Sequence, residues 1–110
     1  MFDHETGTTT FTRKRGMNRG KPRLWIEGKH LTEAGFKRGD RFLLTFIEMR
    51  APGTHAVIEK TSNGNRTVSG KGDSPIIDIV GDALLGFGTM EKVAITYRAG
   101  HGVLWLAEGV

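Results

Sequence analysis

The sequence has no cysteine among its 110 residues, which excludes disulfides, thiolate zinc sites and a cysteine nucleophile. It also lacks any apolar run near the roughly 20 residues that a membrane-spanning helix needs. Its first ten residues, MFDHETGTTT, lack the basic and then apolar segments of a signal peptide. These absences predict a protein of the cytoplasm with no membrane partner.

The composition is that of an ordinary globular chain, with 37% hydrophobic and 25% charged residues. The net charge of +4 is distributed unevenly. Residues 1–50 hold eleven Lys and Arg against six Asp and Glu, whereas residues 51–110 hold five against six. A basic half joined to a neutral half favours one face for a polyanion and another for packing. Simple solubility is the alternative explanation.

A basic arm, TRKRGMNRGKPR at residues 12–23, holds six cationic side chains and no acid. Cations separated by Gly and Asn can follow a phosphate backbone, and the glycines allow a close approach. The arm has no apolar face at helical spacing, which argues against a helix on a membrane surface. A solvated basic loop, or contact with protein or lipid, remains open. The six cations are Arg13, Lys14, Arg15, Arg19, Lys21 and Arg23.

The chain contains an internal repeat made of three collinear blocks. The third block aligns only when its loop is shortened by five residues, which pairs His55 with His101 and Val57 with Val103. The aligned blocks are 36–46 with 87–97, 22–31 with 75–84, and 53–58 with 100–105. The repeat predicts two copies of one structural unit.

Each copy has the same predicted order of strand, strand, short helix, strand and strand. The helical turns fall on HLTEAGF (30–36) and DALLGFG (82–88), and both contain a glycine suited to a helix C-cap. Strands this short cannot bury a face alone, so the copies must pack together. The predicted fold is mainly β (α+β), with two tandem ββαββ units interlocked into one small β-barrel.

The segment KPRLWIEGKHLTEAGFKRGDRFLL (21–44) resembles the AbrB/SpoVT swapped-hairpin superfamily and is most similar to its SymE-like branch. The resemblance covers residues 12–60 directly and residues 65–108 through the repeat. Two units in one chain resemble the tandem, MraZ-like arrangement. The resemblance implies strand-exchanging swapped-hairpin units that form one pseudo-dimeric domain, with a further homodimer possible. Its parts are an N-terminal segment (1–11), a basic unit (12–60) and a neutral unit (65–110).

The resemblance also implies a DNA-binding transcriptional regulator, associated with the nucleoid and acting on duplex DNA. By position, the strand arginine of the family is Arg23, and the helix contacts fall on Lys29 and His30. The second copy has Ile76, Asp82 and Ala83 at these places, so either one half binds or two chains each supply a basic half. The predicted nucleic-acid-binding residues are Arg13, Lys14, Arg15, Arg19, Lys21, Arg23 and Lys29.

Other residues with chemical potential favour structural roles. Trp25 is predicted to pack in the core, with base stacking as its alternative, and Trp105 to lie in the core or an interface. The four histidines lack helical spacing and are expected to be polar turn residues. Asp78 and Asp82 are not expected to share a helical face, and GKGDS (70–74) lacks the full phosphate-loop pattern. The sequence therefore predicts no enzyme, no metal site and no cofactor.

Two other classes of function stay open from the sequence. One is a SymE-like toxin that acts on RNA. The other is a phage or mobile-element protein that binds a host nucleic-acid-processing complex, with its basic arm competing for a nucleic-acid channel. RNA degradation would favour the first, and co-purification with a protein partner without duplex affinity would favour the second.

Overall fold

The computed structural model describes residues 1–18, 21–47, 54–80 and 91–109. It contains eleven strands and one helix within those ranges, and most strands coincide with the runs of branched and aromatic residues predicted from the sequence. The elements are β1 (Phe2–Asp3), β2 (Thr8–Lys14), β3 (Gly16–Asn18), β4 (Lys21–Glu27), α1 (Lys29–Ala34), β5 (Arg41–Phe46), β6 (Thr54–Lys60), β7 (Arg66–Thr67), β8 (Ser69–Lys71), β9 (Ser74–Val80), β10 (Lys92–Arg98) and β11 (Val103–Glu108).

The described strands form two open antiparallel sheets, and the prediction of one small β-barrel is therefore wrong. A large sheet has the order β1-β2-β10-β11-β6-β5-β7, and a small sheet has the order β3-β4-β9-β8. The ladder is interrupted at Arg15 and at Val68, where the chain passes from the large sheet to the small one. Because the ladder breaks at both places, the two sheets do not continue into each other. In the first unit the strand β3 follows the break, and in the second unit the break divides the segment 66–71 into β7 and β8.

The core lies between the two sheets and is closed at one side by α1. Alternate residues of β9, β10 and β11 are buried, which is the two-residue period of strands with one buried face. Burying each large side chain contributes about 1.5–3 kcal/mol. The buried residues are Leu24, Ile26, Leu31, Ala34, Phe36, Phe42, Ala56, Ile58, Val68, Ile77, Ile79, Val93, Ile95, Tyr97, Leu104 and Leu106.

The pairing of the strands follows the internal repeat. β4 pairs with β9 and β6 with β11, so each of these strands lies beside its own counterpart in the other unit. β2 of the first unit pairs with β10 of the second, and β7 of the second pairs with β5 of the first. Every strand order is therefore unchanged when the two units are exchanged, apart from the extra strand β1.

The backbone hydrogen bonds at Arg15 and Val68, where the ladders are interrupted, are also equivalent in the two units. The amide of Arg15 donates to the carbonyl of Glu91 at 2.8 Å, and the amide of Val68 donates to the carbonyl of Asp40 at 2.8 Å. Asp40 and Glu91 are aligned in the repeat. The same contact thus holds the chain at the same place in both units.

The last block of the repeat was aligned two residues out of register. Phe42 pairs with Lys60, and its counterpart Val93 pairs with Glu108, so Lys60 corresponds to Glu108. Ile58 then corresponds to Leu106, and both are buried. The pairings of His55 with His101 and of Val57 with Val103 are therefore wrong. A shift of two residues keeps every side chain on its face, so the hydrophobic pattern could not reveal it.

Helix α1 ends as its sequence predicted. Gly35 adopts the left-handed conformation with φ of 102°, and a Cβ there would lie 3.0 Å from the carbonyl carbon of Gly100. The free helix carbonyls of Glu33 and Ala34 accept hydrogen bonds from the amides of Gly100 and Gly102 at 2.8 and 2.6 Å. The other predicted helix, 82–88, lies outside the described residues. Among the residues described, no helix has the length and apolarity to cross a membrane.

Candidate nucleic-acid interface

The outer face of the small sheet carries two cations of the basic arm, Lys21 and Arg23. Because Leu24 and Ile26 point into the core, the alternating residues Lys21, Arg23 and Trp25 point away from it. Trp25 is 37% exposed, so its predicted place in the core is wrong. Three consecutive apolar residues in the sequence left the inward face of this strand undetermined.

Arg23 is held by an acid from the other unit. Its Nε donates to Oδ1 of Asp78 at 2.8 Å, and its Nη2 donates to Oδ2 at 2.9 Å. The hydrogen bond to Asp78 raises the pKa of Arg23. The guanidinium also lies over the ring of Trp25, 4.4 Å from its centroid. Arg23 is thus fixed on both its polar edge and its flat face.

Arg13 lies on the opposite side of the arm, toward α1. Its guanidinium carbon is 4.8 Å from the centroid of Phe11, and the same ring stacks on His30 with centroids 4.0 Å apart. Lys29 is the exposed first residue of α1 and directly precedes His30. Burial, and then the charges of Arg13 and Lys29, lower the pKa of the His30 imidazole. Arg13 and Lys29 therefore share one neighbourhood, and Lys21 and Arg23 share another.

His30 lies in α1 and takes part in a row of hydrogen-bonded side chains with Tyr97 and Glu33. The prediction that His30 is a polar turn residue is therefore wrong. The hydroxyl of Tyr97 donates to Oε2 of Glu33 at 2.5 Å, and Nδ1 of His30 lies 3.0 Å from the same hydroxyl. Since the single hydroxyl proton goes to Glu33, Nδ1 must be the donor to Tyr97. The neutral imidazole then carries its proton on Nδ1.

Burial determines the ionisation of this chain of side chains. Burial first, and then the charge of Arg13, lower the pKa of His30. Burial, followed by the hydrogen bond to Glu33, raises the pKa of Tyr97 to about 12. At neutral pH both groups are therefore held uncharged. His4 and His101 lie exposed in turns as predicted, and the side chain of His55 lies outside the described residues.

Two lysines from different units meet at the end of the large sheet. Lys14 of β2 pairs directly with Lys92 of β10, so their ammonium groups project from the same face. Arg15 follows at the ladder interruption, between the two sheets. Lys92 was not among the predicted binding residues, because only strand pairing between the units brings it beside the arm. Arg19 lies outside the described residues.

The corresponding positions of the second unit lack this charge. The hairpin β3–β4 pairs Gly16 with Arg23, and the hairpin β8–β9 pairs Ser69 with Ile76 in the matching register. The equivalence is therefore position by position. Lys14, Arg15, Lys21 and Arg23 of the first unit correspond to Thr67, Val68, Ser74 and Ile76 of the second.

Trp105 lies on the outer face of the large sheet, away from the core. Its neighbours Leu104 and Leu106 are the buried residues of β11, whereas Trp105 is half-buried beside Thr96. It borders a shallow depression of about 410 Å³. The other residues that line the depression are Thr6, Thr8, Thr96, Arg98 and Ala107.

Within the described ranges, no group of three or more His, Asp or Glu side chains is arranged to hold a metal ion. Asp78 was considered only as part of a carboxylate pair and was missed as a partner of Arg23. The repeat alignment offered one signal, because it places Asp78 at the position of Trp25. Comparison with known proteins found no matching family model, no matching curated protein and no matching solved structure.

Proposed function

We propose that this chain is a nucleic-acid-binding protein that binds duplex DNA through its first unit and acts as a transcriptional regulator without catalysing a reaction. The single observation that carries the proposal is the difference in charge at four matched positions of the two units. The first unit has Lys14, Arg15, Lys21 and Arg23 where the second has Thr67, Val68, Ser74 and Ile76. Since the backbone pairing is the same in both, packing does not require those cations.

The pair formed by Lys14 and Lys92 supports an anionic partner. Like charges directly opposite each other on neighbouring strands are destabilising. A phosphate between two ammonium groups removes that repulsion and releases counterions from the nucleic acid. The energy that the pair costs in the free protein is thus recovered in the complex.

The pairing of strands supports a tandem swapped-hairpin architecture of the AbrB/SpoVT kind. In this proposal residues 12–60 and 65–110 are the two units, and each contributes its first strand to the other's sheet. The mechanism is occlusion of a DNA site through phosphate contacts of Arg13, Lys14, Arg15, Arg19 and Lys21. Arg23 adds a further anion contact, because its guanidinium fork already binds the carboxylate of Asp78. Lys29, the exposed residue before His30 on α1, completes the proposed set.

Fluorescence anisotropy tests the proposal with a labelled 20-base-pair duplex, the corresponding single strand and an RNA of the same sequence. If about four cations neutralise phosphates, log K should fall with log[salt] with a slope of roughly −3 to −4. Binding of the duplex at low micromolar concentration with that slope is expected. The absence of salt-sensitive binding to all three probes at micromolar concentration would contradict the proposal.

The three probes also separate the other classes. Tighter binding of RNA, together with its degradation, would select an RNA-directed toxin. Purification of a stable protein partner, without affinity for any of the probes, would select a protein that binds a host complex. A measurement of solution mass in the presence of duplex would show whether two chains combine their basic units.

A further inference from the structure

We propose that Asp78 is an intramolecular competitor that occupies the place where a phosphate of the nucleic acid binds Arg23. The inference rests on the proposed function and adds a residue that sets its affinity. Asp78 comes from β9 of the neutral unit, yet its carboxylate is bound by the basic unit.

The geometry of the pair is that of a phosphate complex with the carboxylate in place of the phosphate. Two nitrogens of the Arg23 guanidinium donate to the two oxygens of Asp78, at 2.8 and 2.9 Å. A phosphodiester presents two non-bridging oxygens that accept from the same fork. Only one of the two anions can occupy this edge of the guanidinium at a time.

The site is open to a ligand. The side chains of Arg23 and Asp78 keep 30% and 29% of their surface exposed, on the outer face of the small sheet. Lys21 is exposed on that face one alternation away along β4. An incoming phosphate therefore meets a second cation beside Arg23.

Trp25 holds the guanidinium of Arg23 in position when the carboxylate of Asp78 leaves. The ring lies 4.4 Å from the guanidinium carbon and covers a flat face that takes no part in the hydrogen bonds. Removal of Asp78 consequently frees the donor fork without freeing the side chain. A fork that is held in position loses less conformational entropy on binding than a mobile one.

Asp78 lies on β9 at the position from which a carboxylate reaches the guanidinium of Arg23. Asp78 pairs directly with Trp25 at the centre of the small sheet, so it reaches Arg23 diagonally across the two strands. Among the residues that the structure describes, a second acid of this face is Glu27, which is exposed at the far end of β4, whereas the Nε of Arg23 donates to Asp78. Glu27 therefore provides a matched control with the same change of charge.

Asp78→Asn is compared with Glu27→Gln by anisotropy with the 20-base-pair duplex across a range of salt concentrations. D78N should bind about tenfold more tightly than the unaltered chain, because the duplex then meets a free guanidinium fork and does not have to displace the carboxylate of Asp78. Its slope of log K against log[salt] should change by less than about 0.9, since Arg23 contacts the phosphate in both proteins. E27Q should change the affinity by no more than about twofold and leave the slope unchanged. Adding Arg23→Gln to D78N should abolish the gain.

Equal effects of D78N and E27Q would overturn the competitor role of Asp78 while the proposed function stands. A failure of every variant to bind would overturn both. NMR of the Arg23 Nε–H group in the unaltered chain provides a second measurement that does not depend on the folding of D78N. The resonance should shift as saturating duplex replaces the carboxylate, and an unchanged resonance would contradict the proposal.

Discussion

The hairpins β3–β4 and β8–β9 have the same strand register but different surface residues: the first has Lys21 and Arg23 where the second has Ser74 and Ile76, and the second has Lys71 where the first has Asn18. On their inner faces both units keep apolar residues, such as Leu24 in the first and Ile77 in the second. On their outer faces, Arg23 in the first corresponds to Ile76 in the second. Packing therefore constrains only the inner face of each strand. The outer faces differ between the two units, and in the first unit the outer face carries Lys21 and Arg23.

A second difference lies at the start of the first strand. In the first unit Phe11 precedes Arg13 by two residues and stacks on His30. In the second unit Gly64 precedes Arg66 by two residues, and a Cβ at Gly64 would lie 2.4 Å from the amide nitrogen of Phe42. The long strand β2 and the two-residue strand β7 follow from this contrast, because the second unit turns where the first extends.

Removal of the aromatic ring of Phe11 should cause the largest loss of stability among the substitutions that compare the two units. Phe11→Ala removes a ring that packs on the core and stacks on His30, which should lower the free energy of unfolding by about 2–3 kcal/mol. Urea unfolding followed by tryptophan fluorescence measures the loss. Thr12→Ala, at an exposed position of the same strand, is the control and should change stability by less than about 0.5 kcal/mol. Equal losses in the two variants would contradict the role of Phe11.

Gly64 of the second unit corresponds to Phe11 of the first, and even the smallest side chain at Gly64 should destabilise the fold. Gly64→Ala forces a Cβ against the backbone of Phe42 and should cost about 1–3 kcal/mol. Gly16→Ala is the matched control, because its nearest atom, the carbonyl oxygen of Arg23, would be 3.9 Å away. The same unfolding experiment compares the two. A Gly64→Ala variant as stable as Gly16→Ala would show that this turn can move.

Replacing two outer-face lysines of the first unit by the corresponding residues of the second unit should weaken duplex binding. The double variant Lys14→Thr and Lys21→Ser introduces the residues of the second unit and should weaken duplex binding by about tenfold or more. Its salt slope should become shallower by about 1.8, since two phosphate contacts are lost. The measurement is the anisotropy titration described above.

A control for that exchange removes two lysines elsewhere. Lys37 and Lys71 are both exposed, and Lys37→Ser with Lys71→Ser produces the same change of net charge. Its salt slope should remain that of the unaltered chain. A similar loss of affinity and slope in both double variants would mean that net charge alone, and not the positions of Lys14 and Lys21, determines binding.

His30 should make stability depend on pH in a way that the second unit does not reproduce. Its pKa is lowered in the fold from the ordinary 6.5, by burial and by Arg13, so the unfolded chain binds the proton more readily. Stability from this group is complete above pH 6.5 and is lost as the pH falls below it. The difference in unfolding free energy between the unaltered chain and His30→Gln should therefore shrink from pH 8 to pH 5.5. A pH-independent difference would contradict this role of His30.

The hydroxyl of Tyr97 should give the smallest effect and the most specific signal. The chain has one tyrosine, so the phenolate absorbance reports Tyr97 alone. Its titration should be centred at about 12 in the folded protein and should return toward 10.0 in urea. Glu33→Gln should lower the native midpoint, because the hydrogen bond to the carboxylate contributes to the shift. A native midpoint equal to that in urea would refute the arrangement of Tyr97, Glu33 and His30.

The sequence predicted most of the fold because its signals were local. Runs of branched and aromatic residues, with the Pro and Gly boundaries and the internal repeat, predicted β4, β9, β10 and β11, and the glycine at position 35 predicted the end of α1. The closed barrel was wrong because the interruptions at Arg15 and Val68 carry no breaking residue; they are fixed by hydrogen bonds to distant carbonyls.

The candidate site was less predictable, since its contacts join residues far apart in the chain. The basic arm was visible as a run of charge, but Asp78 reaches Arg23 across 55 positions of sequence. Leu24, Trp25 and Ile26 are all apolar, so the sequence does not show which face of β4 points into the core. The neighbourhood of His30 requires the packing of α1 on β2 and β10, which hydrophobic periodicity does not specify.

The pairing of β2 with β10 and of β5 with β7 has a consequence for the way the two units assemble. Neither unit can satisfy its own strand edges, so each is a half that needs a complement. The connection between them, residues 61–65, contains no strand and no helix. A cut there would divide the chain into two fragments that complete each other when mixed. The short connection makes the encounter of the two halves a folding step inside one molecule, whose rate does not depend on protein concentration.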